Sequence, residues 1–105
     1  MMIISQNCIE QGLPTPKSYD TQLGYIKRCI GSGYVLNSRL CSYIGIAHLH
    51  SYIPVLRQKG LEFSQEYGLS YCPARDFVPP YLVDIIYMTV EQQNQYREEK
   101  KPELV

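Results

Sequence analysis

Two histidines, His48 and His50, stand two apart with Ser51 beside them, and four cysteines, Cys8, Cys29, Cys41 and Cys72, are spread along 105 residues. These are the side chains whose types suit metal binding or nucleophilic chemistry. A metal site needs further ligands at knuckle or helical spacing. No two cysteines make a Cys-x-x-Cys pair, and no carboxylate or cysteine stands at helical spacing from either histidine. A Ser-His-Asp set drawn from Ser51, a histidine and a distant aspartate lacks the nucleophile turn that would expose the serine. Gly31-Ser32-Gly33 lacks the third glycine of a phosphate loop and ends a helical pattern instead of opening one. The residues thus imply no metal and no cofactor. Without a convergent acid–base set, the chain is not expected to be an enzyme. The cysteines read as small apolar residues, Cys29 and Cys41 inside helical patterns.

Formal net charge is zero, but the charges are sorted along the chain. From Thr21 to Leu61 stand Lys27, Arg28, Arg39, Arg57 and Lys59, with no aspartate or glutamate. From Glu62 onward eight acids face four cations, Arg75, Arg97, Lys100 and Lys101. A basic stretch attracts phosphate even in a neutral chain.

The elements that must position these residues follow from periodicity and caps. The length suits one domain. Residues 1–19 read as an extended leader, because Leu13-Pro14-Thr15-Pro16 cannot continue a helix. Met2 to Ile4 either add a short strand or lie on the core. The first helix starts at Asp20 or Thr21, with Leu23, Ile26 and Ile30 on one face, and Gly31-Ser32-Gly33 stops it. Tyr34-Val35-Leu36 is an apolar connector. Asn37 or Ser38 caps a second helix to about Ile44, and Gly45 ends it. A third helix carries Leu49, Tyr52, Ile53 and Leu56 inward and closes at Gly60. Its Pro54 forces a kink, or else a regular start at Ser51. Residues 61–65 then alternate as a strand, Glu66-Tyr67-Gly68 reads as a turn, and a long loop precedes a second strand over Tyr81–Met88. Thr89-x-x-Gln92 is a capping box, so a last helix starts at Val90 and runs to about Lys101, solvated or frayed.

The expected fold class is therefore α+β: a winged helix-turn-helix over 20–88, with a three-helix core and a two-stranded wing, then a short C-terminal helix and tail over 89–105. The sequence resembles the small winged helix-turn-helix domains of phage and prophage proteins over about Thr21 to Gln65. The resemblance is carried by Ser38-Arg39-Leu40, Ile44-Gly45-Ile46, and Leu49, Ile53 and Leu56-Arg57-Gln58-Lys59-Gly60 running into the strand. It implies a third helix in the DNA major groove and a wing on the backbone or minor groove.

On that third helix the outward arc holds His48, Ser51, Pro54, Val55 and Gln58, with His50 at its edge. The base-facing candidates are His48, His50, Ser51, Val55 and Gln58, since Gln can pair with adenine and an apolar group can touch a thymine methyl. No arginine lies centrally there. Phosphate candidates are Lys27, Arg28, Arg39, Arg57 and Lys59. The first reading is a phage or prophage transcription regulator bound to duplex DNA, driven by phosphate contacts. The alternative is a protein-binding winged helix, an adaptor or inhibitor of a host protein. It rests on the zero net charge, Pro54-Val55, the acidic C-terminal part and ten tyrosines, a residue type enriched at interfaces. A homodimer contact through Tyr81–Met88 or the last helix is a further option. With no signal sequence and no apolar run long enough for a membrane span, a cytoplasmic location is expected.

Overall fold

A computed structural model describes residues 3–100. Among these the order is α1 (Ser5–Glu10), α2 (Gln22–Gly31), β1 (Leu36–Asn37), α3 (Ser38–Tyr43), α4 (Leu49–Gln58), β2 (Ser64–Gly68), β3 (Val83–Tyr87) and α5 (Val90–Lys100). The class is α+β, with five helices and one three-stranded antiparallel sheet among the described residues. Met1, Met2 and residues 101–105 lie outside them, so the part of the expected N-terminal strand at Met2 and the helix end at Lys101 fall there.

Local chemistry sets the helix ends. Thr21 Oγ1 caps α2 by accepting from the Gly24 amide at 3.0 Å, and Asn37 Oδ1 caps α3 by accepting from Arg39 and Leu40 at 3.0 and 2.9 Å. At the other ends the chain reverses through a left-handed glycine. Gly33, Gly45 and Gly60 have φ of 94°, 98° and 82°. In each case the next residue donates back five positions: Tyr34 to Cys29, Ile46 to Cys41 and Leu61 to Leu56. This closure satisfies helix-end carbonyls and favours glycine at the turning position. The capping box at Thr89 is also formed. The Thr89 amide donates to Gln92 Oε1 at 2.9 Å, and the Gln92 amide donates to Thr89 Oγ1 at 3.2 Å.

Several expectations need correction. The expected leader is not extended throughout its described residues, 3–19. Ser5–Glu10 is helical, Cys8 and Leu13 are buried in the common core, and the Ile4 amide donates to the Ile44 carbonyl at 2.8 Å. The prolines stop a helix only from Leu13 onward, which leaves room for one ahead of them. The sheet has three strands, not two. Leu36 and Asn37, expected as a connector, pair with Ile86 and Ile85, giving the order β1-β3-β2. A two-residue strand is too short to show a period. The strand after α4, β2, lies at Ser64–Gly68, three residues later than expected. Leu61 and Phe63 are buried, but as the chain leaves α4. Gly68, expected in a turn, pairs with Val83, and a Cβ there would meet Ile85 Cδ1 at 2.8 Å. Glycine serves close approach at that point, not reversal.

The core joins Ile26, Ile30, Leu36, Ile44, Leu49, Leu56 and Ile86 with the three cysteines Cys8, Cys29 and Cys41. β3 is shorter than the expected Tyr81–Met88: Tyr81 and Leu82 are exposed ahead of it, and within it Asp84 and Ile86 are buried while Val83, Ile85 and Tyr87 are half-buried. α5 is less detached than its sequence suggests, because Tyr96 packs on the core.

Candidate nucleic-acid interface

α4 presents one face to solvent because its apolar positions are taken inward. Leu49, Ile53 and Leu56 are buried, Tyr52 is half-buried, and Tyr52 Oη donates to Gln22 Oε1 at 2.7 Å. That leaves His48, His50, Ser51, Pro54, Val55 and Gln58 all exposed. The five base-facing candidates therefore share one open surface. α4 runs continuously from Leu49 through Pro54, which places the proline inside the helix and not in its first turn. Pro54 has no N–H to give the His50 carbonyl, and its ring lies on the exposed side, where water can meet that carbonyl.

His50 is tied to the sheet. Its Nδ1 lies 2.8 Å from Asp84 Oδ2 on β3. Asp84 is 5% exposed and its other oxygen accepts from Gln65 Nε2 on β2 at 3.1 Å. A carboxylate only accepts, so Nδ1 carries the proton and Nε2 is left for an outside partner. These bonds fix α4 against β3 and β2. Sequence reading missed it, although the signal was present: Asp84 is the one acid inside an otherwise apolar strand.

The phosphate candidates divide. Arg57 and Lys59 are exposed at the end of α4. Arg57 stacks 3.9 Å from the Phe63 ring centroid and donates through Nη1 to the Phe63 carbonyl at 2.9 Å, which holds it toward the start of β2. Arg28 is committed elsewhere. It pairs with Asp20 at 3.0 Å, donates to the Thr15 carbonyl at 3.1 Å and lies over Tyr25. It fastens the N-terminal segment to α2. Lys27 is half-buried on α2. Arg39 is half-buried at the start of α3 and lines a cavity on the loop between β2 and β3. Counting charges along the chain cannot reveal such partners.

Among the described residues no group of three His, Cys, Asp or Glu side chains converges for a metal ion. No helix there is long and apolar enough to cross a membrane. The loop from Leu69 to Leu82 exposes Leu69, Tyr71, Phe77, Val78, Tyr81 and Leu82. No protein-family model, curated protein or solved structure matched the chain.

Proposed function

We propose that this chain is a DNA-binding winged helix protein, a regulator of the phage or prophage type, which meets duplex DNA with the outer face of α4. The observation that carries this reading is that face: fully exposed from His48 to Gln58, free of carboxylates, and ending in exposed Arg57 and Lys59. The order of elements from α2 to β3, with α3 and α4 joined through Gly45 and β2 and β3 following, supports the winged helix assignment. Ser51 and Gln58 supply hydrogen-bonding groups and Val55 an apolar contact. His50 offers Nε2. Arg57 and Lys59 supply phosphate contacts, while Arg28 and Arg39 are engaged or directed elsewhere. The reading carries with it a cytoplasmic location.

The test is fluorescence anisotropy with a labelled random duplex across a salt series. Two phosphate contacts give a log–log salt slope of about 1.8, at roughly 0.9 per contact. Arg57→Gln and Lys59→Gln should each lower that slope by about 1. No binding at low salt would overturn the proposal.

One observation favours a second reading, a protein-binding winged helix serving as an adaptor or inhibitor. It is the exposed apolar run on the 69–82 loop, since large apolar patches on small proteins mark interaction sites. In that case Tyr81→Ser and Leu82→Ser would abolish function and leave DNA affinity unchanged.

A further inference from the structure

The cavity beside α3 has a composition that α4 does not share. Its volume is about 750 Å³, inside the range of small-molecule sites of roughly 300–1,000 Å³. One wall is the outer side of α3, with Ser38, Arg39 and Ser42. The opposite wall is the β2–β3 loop, with Arg75, Phe77 and Tyr81. No carboxylate lines it. Two acids that neighbour lining residues are held by tyrosines: Tyr71 Oη donates to Asp76 Oδ1, beside Arg75, and Tyr43 Oη, itself on the lining, donates to Glu10 Oε2. Among the described residues neither Arg39 nor Arg75 has an ion pair.

Among the described cations Arg39 differs in one respect. Arg39 Nε is buried and has no hydrogen-bond partner among the described residues. A buried donor without a partner costs roughly 1–3 kcal/mol, so its presence needs an explanation. An acceptor entering the cavity would satisfy it. The loop wall is also built and not slack. The Cys72 amide donates to the Phe77 carbonyl at 2.9 Å, the Asp76 amide returns to the Cys72 carbonyl at 2.8 Å, and Asp76 takes a left-handed φ of 58° to close the turn. That turn sets Arg75 and Phe77 side by side on the cavity.

We propose that this cavity binds a small organic anion, with its acidic group held by Arg39 and Arg75 and its flat apolar body against Phe77 and Tyr81. Arginine recognises carboxylate and phosphate by the same forked geometry, so both acid types belong to the class. Binding here is independent of whether α4 meets DNA.

The test titrates the full-length, 15N-labelled protein with phenyl phosphate, inorganic phosphate and benzyl alcohol, followed by NMR. Phenyl phosphate should give saturable shifts at the Arg39 Nε–H and at backbone amides of residues 72–83. It should also slow alkylation of Cys72, which lines the same cavity. Inorganic phosphate and benzyl alcohol should each bind at least about tenfold more weakly, because each lacks one half of the ligand. Arg75→Gln, on the exposed loop, should weaken phenyl phosphate by about tenfold with the rest of the spectrum unchanged, and Arg39→Gln should do the same. Absence of saturation by about 10 mM, equal binding of benzyl alcohol or of inorganic phosphate, or full affinity in the Arg75→Gln protein would each overturn the proposal.

Discussion

Asp84 is the residue on which β2, β3 and α4 depend together. A buried carboxylate is costly unless hydrogen bonds replace its water, and here His50 and Gln65 do so from two elements. Asp84→Ala removes the acceptor shared by both partners and should cost about 1–3 kcal/mol in urea denaturation. His50→Ala removes only an exposed partner and should cost less. Equal losses would contradict this division. Buried thiols set a second dependence. Burial pushes the Cys29 thiol up to about 11, and burial likewise raises Cys8, Cys41 and Tyr25. The folded chain keeps these protons at a pH where the unfolded chain releases them. For Cys29 that contribution to stability is whole below the thiol's ordinary value of 9.0 and is lost as pH rises toward about 11. Melting temperature should therefore fall from pH 9 to 11, and Cys29→Ala should flatten that fall. At this scale the sequence exposed the α4 face fully: all five base-facing candidates are on the surface. It could not show that Arg28 pairs with Asp20 or that Arg39 lines a cavity, because a positive charge count says nothing about what a folded chain puts beside an arginine.

At the scale of elements, the ends of helices were the most readable feature. Thr21, Asn37, Gly33, Gly45, Gly60 and the Thr89–Gln92 box all act through neighbours within five residues, so local sequence contains the whole interaction. Strand register depends on distant partners and was displaced, and β1 was missed. The contact between α2 and α5 belongs to this second kind. Gly31 ends α2 against the ring of Tyr96, and a Cβ there would stand 2.3 Å from Tyr96 Cε2. Glycine at this position is a matter of room. Gly31→Ala should destabilise by about 1–3 kcal/mol as the ring or the helix is pushed away. Adding Tyr96→Leu, which removes the clashing edge, should recover part of the loss. A double mutant whose effects simply add in denaturant midpoint would show that α5 does not rest on Gly31.

For the whole molecule, the question is whether residues 3–20 belong to the folding unit or merely precede it. Their attachments reach two separate elements, α2 and α3. Tyr25 Oη on α2 donates to the Pro14 carbonyl at 2.6 Å, and Arg28 holds Asp20 and Thr15. Asn7 Nδ2 donates to the Tyr43 carbonyl at the end of α3 at 2.8 Å. Cys8 and Leu13 are buried with α2 and α3 residues in one core. Deleting residues 1–19 would uncover the buried hydroxyl of Tyr25, the Arg28 guanidinium and the core surface under Leu13. Burial of one leucine alone contributes about 1.5–3 kcal/mol, and each lost hydrogen bond of this kind about 1 kcal/mol more. The sum is a large share of the roughly 5–15 kcal/mol that holds a domain of this size together. The truncated chain should therefore melt at least about 15 °C lower, at roughly 4–8 °C per kcal/mol, or show no cooperative transition at all. Leu13→Ala in the full-length chain separates the packing from the tether, and should lower the melting temperature by a smaller step in the same direction. A truncated chain that melts within a few degrees of the full-length protein would make residues 3–20 an appendage. The folding unit would then begin at residue 20, as the leader reading of the sequence had it.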